Sequence, residues 1–305
     1  MHNNLLAIVG TTASGKTELS LALAQELKAE IISCDSMQVY KYMDVGTAKA
    51  TPQEQALVTH HMLDVKLPHE NYTVVEYHKE VKKLISLINE RDRLPMLVGG
   101  TGLYYQAVVD DYQFYPPAAT EKIHNKLGNI YKQEGLTPLV KKLALVDPNF
   151  TDTKNPRRVI RALEVYELTG NSYSSLQAKN QSPYRLAVLG LYLEREQLNK
   201  KIDARAEQMW QAGILDEIKT ILSLGAAANN TALQAIGYRE GAAYLSGLLT
   251  ENEAIREMKR ETRRLAKHQQ TWFKRDHRIH WLDGSLPADQ LVQLSLDYLH
   301  HLRFP

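Results

Sequence analysis

The sequence predicts an α/β protein: a parallel sheet core, an inserted helical domain and a helical C-terminal region. Three observations predict it. Residues 5–9 (LLAIV) are a short apolar run ending in glycine, which suits a strand buried on both faces. Residues 30–34 and 95–98 are further strand-like runs, the second stopped by Gly99-Gly100. The stretches between them have helical periodicity, and strands spaced by helices build a parallel sheet.

Taken in order, residues 17–28 place Leu19, Leu21, Leu23, Ala24 and Leu27 along a helix, and the strand at 30–34 ends at Asp35. Residues 73–91 carry a stripe of Val74, Val75, Val81, Leu84, Ile85 and Ile88, a second helix. Residues 112–117 are aromatic and proline-rich, a boundary. Beyond it come helices at 120–133, 136–145 and 156–169, then a polar, loop-like stretch at 171–183. Residues 185–193 (RLAVLGLYL) return to the sheet, and the remainder reads as helical, at 196–212, 214–224 and 251–274. The expected organisation is a first part of the core at 1–111, an inserted helical domain at 112–183, and a return to the core with basic helices at 184–305.

Bulk properties narrow the function classes. The chain has 305 residues, 44% of them apolar, enough for a substantial core. A net charge of +2 means that any affinity for nucleic acid must come from local clustering of charge. The single cysteine, Cys34, excludes an internal disulfide framework or a cysteine-rich zinc site, and suits a small buried strand residue. No apolar run is long enough for a membrane span, so a cytoplasmic protein with no membrane partner is expected, and a monomer.

Gly10-Thr11-Thr12-Ala13-Ser14-Gly15-Lys16-Thr17 fits G-x-x-x-x-G-K-[ST] between the first strand and its helix, which makes the core P-loop NTPase-like. The glycines let the backbone curl so that successive N–H groups point inward. The helix that follows adds the partial positive charge of its N-terminus. Lys16 brings a full charge to phosphate oxygens, and the Thr17 hydroxyl suits Mg2+. ATP, GTP or a diphosphate leaving group would all fit.

A GTPase is disfavoured, because neither Asn125-Lys126 nor Asn199-Lys200 is followed by the aspartate of a base-reading Asn-Lys-x-Asp. A small-molecule kinase and an RNA-binding P-loop regulator stay open on the residues alone. Asp35 lies at the carboxyl end of its strand, where parallel sheets hold ligands, and could take a proton from a hydroxyl or an amine. Thr101, in Gly99-Gly100-Thr101-Gly102, brings a hydroxyl to the same edge. Positive charge gathers in two places. One holds Lys154, Arg157, Arg158 and Arg161; the other, residues 256–278, has nine lysines or arginines against three acids. Such clustering suits a polyanionic substrate more than a small one.

Over nearly its whole length the chain resembles the bacterial tRNA dimethylallyltransferases, also called tRNA isopentenyltransferases. The motifs that carry the resemblance stand in order: GTTASGKT at 10–17, IISCDSMQVYKYMDVGTAK at 31–49 and GGTGLY at 99–104. NPRRVIRALEV follows at 155–165, then AIGYRE at 235–240 and QQTWFK at 269–274. Thr11 stands where that family usually has proline, and His268 where arginine is common. The resemblance implies transfer of a dimethylallyl group from dimethylallyl diphosphate to N6 of the adenine at position 37 of a tRNA, with the P-loop holding the diphosphate. Asp110-Asp111 is not the start of the Asp-rich DDxxD motif of many other prenyltransferases, which fits that use of the loop.

Roles for single residues follow from the resemblance. Residues Gly10 to Thr17 and Arg205 are expected on the diphosphate, with Mg2+ at Thr17, and Asp35 and Thr101 in the chemistry. Asp35, Ser36, Met37, Gln38 and Thr101 are expected at the flipped adenine. Arg157, Arg158, Arg161, Arg264 and Lys267 are expected on tRNA phosphates, the inserted domain clamping the anticodon stem.

Overall fold

β1 (Asn4–Gly10) is buried on both sides because its apolar run serves two faces at once. Leu5, Ala7 and Val9 pack into one core and Leu6 and Ile8 into another, none more than 1% exposed. The computed structural model describes residues 3–112, 114, 117–177, 182–227 and 229–304. From β1 the chain runs through α1 (Lys16–Glu26), β2 (Ala29–Cys34), α2 (Pro52–Leu57), β3 (His60–His61), α3 (Val74–Asn89), β4 (Leu94–Gly99) and α4 (Gly102–Val109). Next are α5 (Pro117–Glu134), α6 (Thr137–Val146), α7 (Pro156–Thr169) and α8 (Tyr173–Gln177). The chain then forms β5 (Arg185–Tyr192), α9 (Arg195–Gln211), α10 (Ile214–Ser223), α11 (Tyr238–Leu245), α12 (Glu251–Phe273), β6 (Ile279–Asp283) and α13 (Ala288–His301).

The six strands lie in the order β3-β2-β4-β1-β5-β6, and every pair is parallel. β1 sits where the order reverses, so the P-loop leaves the sheet at the crevice where open α/β sheets bind ligands. Tyr77, Val81, Ile85 and Ile88 of α3 and Tyr105 and Val108 of α4 cover one face. Leu19 and Leu23 of α1 and Leu291 and Leu299 of α13 cover the other. Each such side chain, fully buried, contributes about 1.5–3 kcal/mol. A further core joins Val39, Tyr40 and Met43 to Trp210, Ile218, Tyr238 and Met258 of α9 to α12. α3 and α12 begin at threonines in reciprocal capping boxes, Thr73 with Glu76 and Thr250 with Glu253.

The chain divides into two compact units, Met1–Asp111 with Pro183–Pro305, and Tyr112–Ser182. The smaller unit has its own core of Leu127, Leu139, Leu143, Val159 and Leu163. Its α7 starts sharply: the Asn155 side chain accepts from the backbone N–H groups of Arg157 and Arg158, and Pro156 occupies the first turn. Among the described residues no helix is long and apolar enough to cross a membrane.

Two parts of the sequence reading are corrected. The C-terminal region is not wholly helical, because Ile279–Asp283 adds β6 beside β5, burying Ile279 and Leu282. β3, two histidines long, has no periodicity to read. The polar stretch at 171–183 carries the short α8. Residues 113, 115 and 116 of the expected boundary and 178–181 of the expected loop lie outside the described residues.

Gly99 ends β4 against β2 so closely that a Cβ would lie 2.1 Å from the Cys34 carbonyl oxygen. That oxygen is strand backbone at the carboxyl end of β2, paired with β4, and cannot swing aside. Gly99→Ala should therefore destabilise the protein by about 3 kcal/mol, read as a lower urea midpoint at unchanged slope; an unchanged midpoint would contradict the packing described.

Candidate active site

The P-loop leaves β1 at Gly10, whose φ of 148° suits glycine, and where a Cβ would stand 2.6 Å from the Leu191 carbonyl oxygen. Ala13 takes a left-handed φ of 62°, which turns successive N–H groups toward one side. Thr11 and Ser14 are buried, and neither hydroxyl oxygen has a hydrogen-bond partner among the described residues. Buried polar atoms are rarely left so, and two in one phosphate loop mark a place built for a polar ligand.

The Lys16 ammonium donates to the Thr11 carbonyl at 2.5 Å. As a whole the residue is half-buried, yet its ammonium is enclosed, and the enclosed end governs its charge. Burial first, and the Arg205 guanidinium second, hold its pKa down at about 8; Asp35 opposes them. Burial likewise lowers the pKa of Arg205, and Asp35 opposes that too. Neither cation has a carboxylate within salt-bridge distance among the described residues. Cys34, below them in β2, is buried with its thiol pushed up to about 12, so it stays protonated and inert.

A cleft of about 580 Å3 opens at this edge, bordered by Thr12, Asp35, Ser36, Met37, Thr101 and Arg205. Leu103, Met209, Met258, Leu265 and Trp272 give it an apolar wall. Asp35 Oδ1 accepts from the Met37 N–H at 2.8 Å, and Oδ2 has no protein donor among the described residues. The Thr101 backbone N–H donates to the Cys34 carbonyl at 3.1 Å, and its hydroxyl accepts from the Ser36 N–H at 3.1 Å. Ser36 Oγ lies 3.5 Å from that hydroxyl, too far to hold its proton firmly. Thr101 thus keeps a donor for a ligand.

Gln38, expected at a base edge, turns its amide inward. Its Oε1 accepts from the Ser33 hydroxyl at 2.7 Å, and its Nε2 donates to the Thr47 and Ala48 carbonyls at 3.2 Å. Two residues that the pattern did not single out hold the same segment. The buried Lys49 ammonium bonds Asp44 at 2.6 Å, Asp64 at 2.7 Å and the Tyr40 carbonyl at 2.8 Å. The Glu217 carboxylate, from α10, accepts from the backbone N–H groups of Asp44, Val45 and Gly46 and from the Tyr238 hydroxyl. Tyr238 belongs to the AIGYRE motif, so that motif shapes the cleft border at Gly46 and Thr47 from behind.

Gln269 opens the QQTWFK motif on α12. Its Oε1 accepts from the Thr12 N–H at 2.8 Å and its Nε2 donates to the Gly100 carbonyl at 3.1 Å. It joins the P-loop to the loop that carries Thr101.

The basic residues divide by partner. On α12, Lys259 pairs with Glu207, and Arg263 with Asp203, both on α9. Arg264 and Lys267 are exposed, Arg264 with only a 3.9 Å contact to Glu261. In the smaller unit Arg161 is bonded to the buried Glu164 at 3.1 Å and Arg158 to Asp152 at 2.8 Å, while Arg157 is exposed. Arg161 is thus already committed to neutralising a buried acid.

No cluster of three or more histidine, cysteine or acidic side chains that could hold a metal occurs among the described residues. Thr17 is exposed at the first turn of α1. One hydroxyl beside a phosphate loop fits a hard cation carried mostly by phosphate oxygens and water, as Mg2+ is in such loops.

A sequence model of the IPP transferase family matches residues 38–276. A curated tRNA dimethylallyltransferase from Syntrophomonas wolfei is 48% identical over 94% of this chain and 94% of its own length. One from Carboxydothermus hydrogenoformans is 44% identical over 93% of each. A tRNA isopentenylpyrophosphate transferase from Bacillus halodurans superposes with a TM-score of 0.76 at 40% identity, covering 98% of this chain and 96% of that one. A eukaryotic dimethylallyltransferase acting on tRNA superposes with a TM-score of 0.84 at 28% identity, covering 99% of this chain and 80% of that one. With a family match over most of its length and relatives this similar from end to end, the chain belongs to the IPP transferase family.

Proposed function

We infer that this chain is a tRNA dimethylallyltransferase. It moves the dimethylallyl group of dimethylallyl diphosphate to N6 of the adenine at position 37, 3′ of the anticodon, and releases diphosphate. The observation that carries the reading is a cleft at the P-loop edge that joins the Arg205 guanidinium, the Thr101 hydroxyl and an open carboxylate oxygen on Asp35, with the Lys16 ammonium close enough to feel both the Arg205 and the Asp35 charge. The cations suit a departing diphosphate and the carboxylate suits the proton of an attacking amine. A small-molecule kinase is not favoured, since the full-length relatives are named for prenyl transfer to tRNA.

In the reaction the bond between the allylic carbon and the bridging oxygen breaks, and its electron pair leaves with the diphosphate. The N6 lone pair forms the new carbon–nitrogen bond, and the N6 proton passes to Asp35. Lys16, Arg205 and the loop N–H groups of Gly10 to Thr17 stabilise charge as it builds on the diphosphate. The Thr101 hydroxyl donates to the bridging oxygen or aligns the amine. An exocyclic adenine amine is a weak nucleophile, so holding it against the allylic carbon counts for more than base strength. The wall of Leu103, Met209 and Leu265 would shelter the dimethylallyl tail from water. Mg2+, held by Thr17 and the substrate's oxygens, would add Lewis-acid neutralisation of the leaving group.

Adenine inside a loop has to leave its stack to reach such a cleft. Ser36 and Met37 are proposed to receive it beside Asp35, and Gln38 to frame that segment from within. Arg157, Arg158, Arg264 and Lys267 are the proposed phosphate contacts, the smaller unit taking the anticodon stem. Arg161 could join them only by loosening its bond to Glu164. The protein would act in the cytoplasm, as a monomer.

Incubating unmodified tRNA with the protein, Mg2+ and dimethylallyl diphosphate should produce N6-dimethylallyladenosine by nucleoside mass spectrometry. Asp35→Ala and Thr101→Ala should each lower the rate by about 10²-fold or more; no product from the folded wild type would refute the reading. The charge of Lys16 gives a second expectation. Its folded-state pKa is depressed, so the ammonium is charged at neutral pH and loses its proton as pH rises through about 8. Without RNA, the dissociation constant for dimethylallyl diphosphate should be flat below that range and weaken by about tenfold or more above it, the worth of a charged hydrogen bond. Lys16→Arg, charged throughout, should flatten the profile; an unchanged inflection would assign it elsewhere.

A further inference from the structure

We propose that Gln269 is a positioning residue that couples occupancy of the RNA-binding face of α12 to the affinity of the P-loop for diphosphate. The inference rests on the reading of α12 as an RNA-contacting helix. α12 has two dissimilar sides. Arg264 and Lys267 face solvent, whereas Gln269, on the other side of the helix, is half-buried and reaches into the cleft. Among the described residues, the Gln269 amide is the one side chain that bonds both the P-loop and the β4–α4 loop. Its Oε1 accepts from the Thr12 N–H of the P-loop, and its Nε2 donates to the Gly100 carbonyl, next to Thr101.

The bridge needs an amide. The P-loop offers a donor and the β4–α4 loop an acceptor, so the joining group must accept at one end and donate at the other. Glutamate would keep the bond to Thr12 but could not donate to Gly100 when ionised, and leucine would keep the volume and lose both bonds. The helix behind the amide is anchored on both sides of it, at Ala266 and Phe273, which are 2% exposed or less. Ion pairs from Lys259 and Arg263 to α9 anchor it further. Phosphates seated on Arg264 and Lys267 restrain this helix, and through Gln269 they restrain Thr12 and Gly100. Diphosphate then binds a loop whose ordering cost has already been met, which is positive coupling between two sites.

Coupling is read as a ratio of affinities, and the ratio separates this role from plain structural support. Calorimetry with inorganic diphosphate and Mg2+ at neutral pH gives a dissociation constant with and without a saturating unmodified anticodon stem-loop RNA. In the wild type the RNA should tighten diphosphate binding about fivefold or more. Diphosphate should tighten RNA binding by the same factor, because linkage is reciprocal. In Gln269→Leu both factors should fall toward one. Gln269→Glu, which keeps the shape and the bond to Thr12, should lower them too, so misfolding of one variant leaves the other to decide. A residue that merely supports the fold would shift diphosphate affinity equally with and without RNA and leave the factor intact. A wild-type factor of one, or an unchanged factor in a folded variant, overturns the proposal. Failure of the wild type to bind the RNA at all instead overturns the RNA reading, and this inference with it.

Discussion

Placing two cations near one another, partly out of water, is unfavourable unless something negative arrives. Lys16 and Arg205 repel, each loses hydration, and the carboxylate that offsets both is Asp35. The rest of the cleft follows from that imbalance. The P-loop adds its backbone N–H groups, α1 adds its N-terminus, and no acidic cluster competes for the space among the described residues. On the proposed function, a diphosphate would relieve the repulsion on arrival, and its further charge on leaving would strengthen each contact. Stored electrostatic tension of this kind favours a leaving group over a resting substrate.

The structure also shows how a cleft made from distant parts of the chain keeps its shape. β2, β4 and the P-loop meet at one sheet edge, but their loops carry few bonds to one another. Thr101 ties the β4 end to Ser36, Gln269 ties it to Thr12, and Lys49 and Glu217 tie down residues 44–49. Most of these bonds are made to backbone groups, so they fix the course of each loop independently of its side chains. Two of them come from α10 and α12, which lie outside the α/β core pattern and serve as a scaffold behind the cleft.

What could be read from the sequence depended on how local the physics was. The P-loop, the strand-end Asp35 and the glycines at the end of β4 act within a few residues of themselves, and their pattern shows it. The helices at 156–169 and 251–273 were legible because capping residues and periodicity lie side by side. β6 was missed because five residues between two helices carry too little alternation. Arg205 entered only through family resemblance, since nothing in α9 marks it as facing a loop some 190 residues earlier. Glu217 carried no signal, because its partners are three backbone N–H groups. Gln38 and Arg161 looked like ligand contacts by residue type, yet the fold has engaged both, one with its own loop and one with a buried acid. Charge and amide chemistry name candidates; burial and partners decide which are free.

The central claim is that the P-loop serves a leaving diphosphate and not a nucleoside triphosphate. The most direct test measures, in one reaction lacking ATP, the diphosphate released and the modified adenosine formed from dimethylallyl diphosphate and unmodified tRNA. The account predicts equal amounts of the two, no orthophosphate, and no stimulation when ATP is added. A requirement for ATP, or orthophosphate released in step with product, would contradict it and return the loop to phosphoryl transfer.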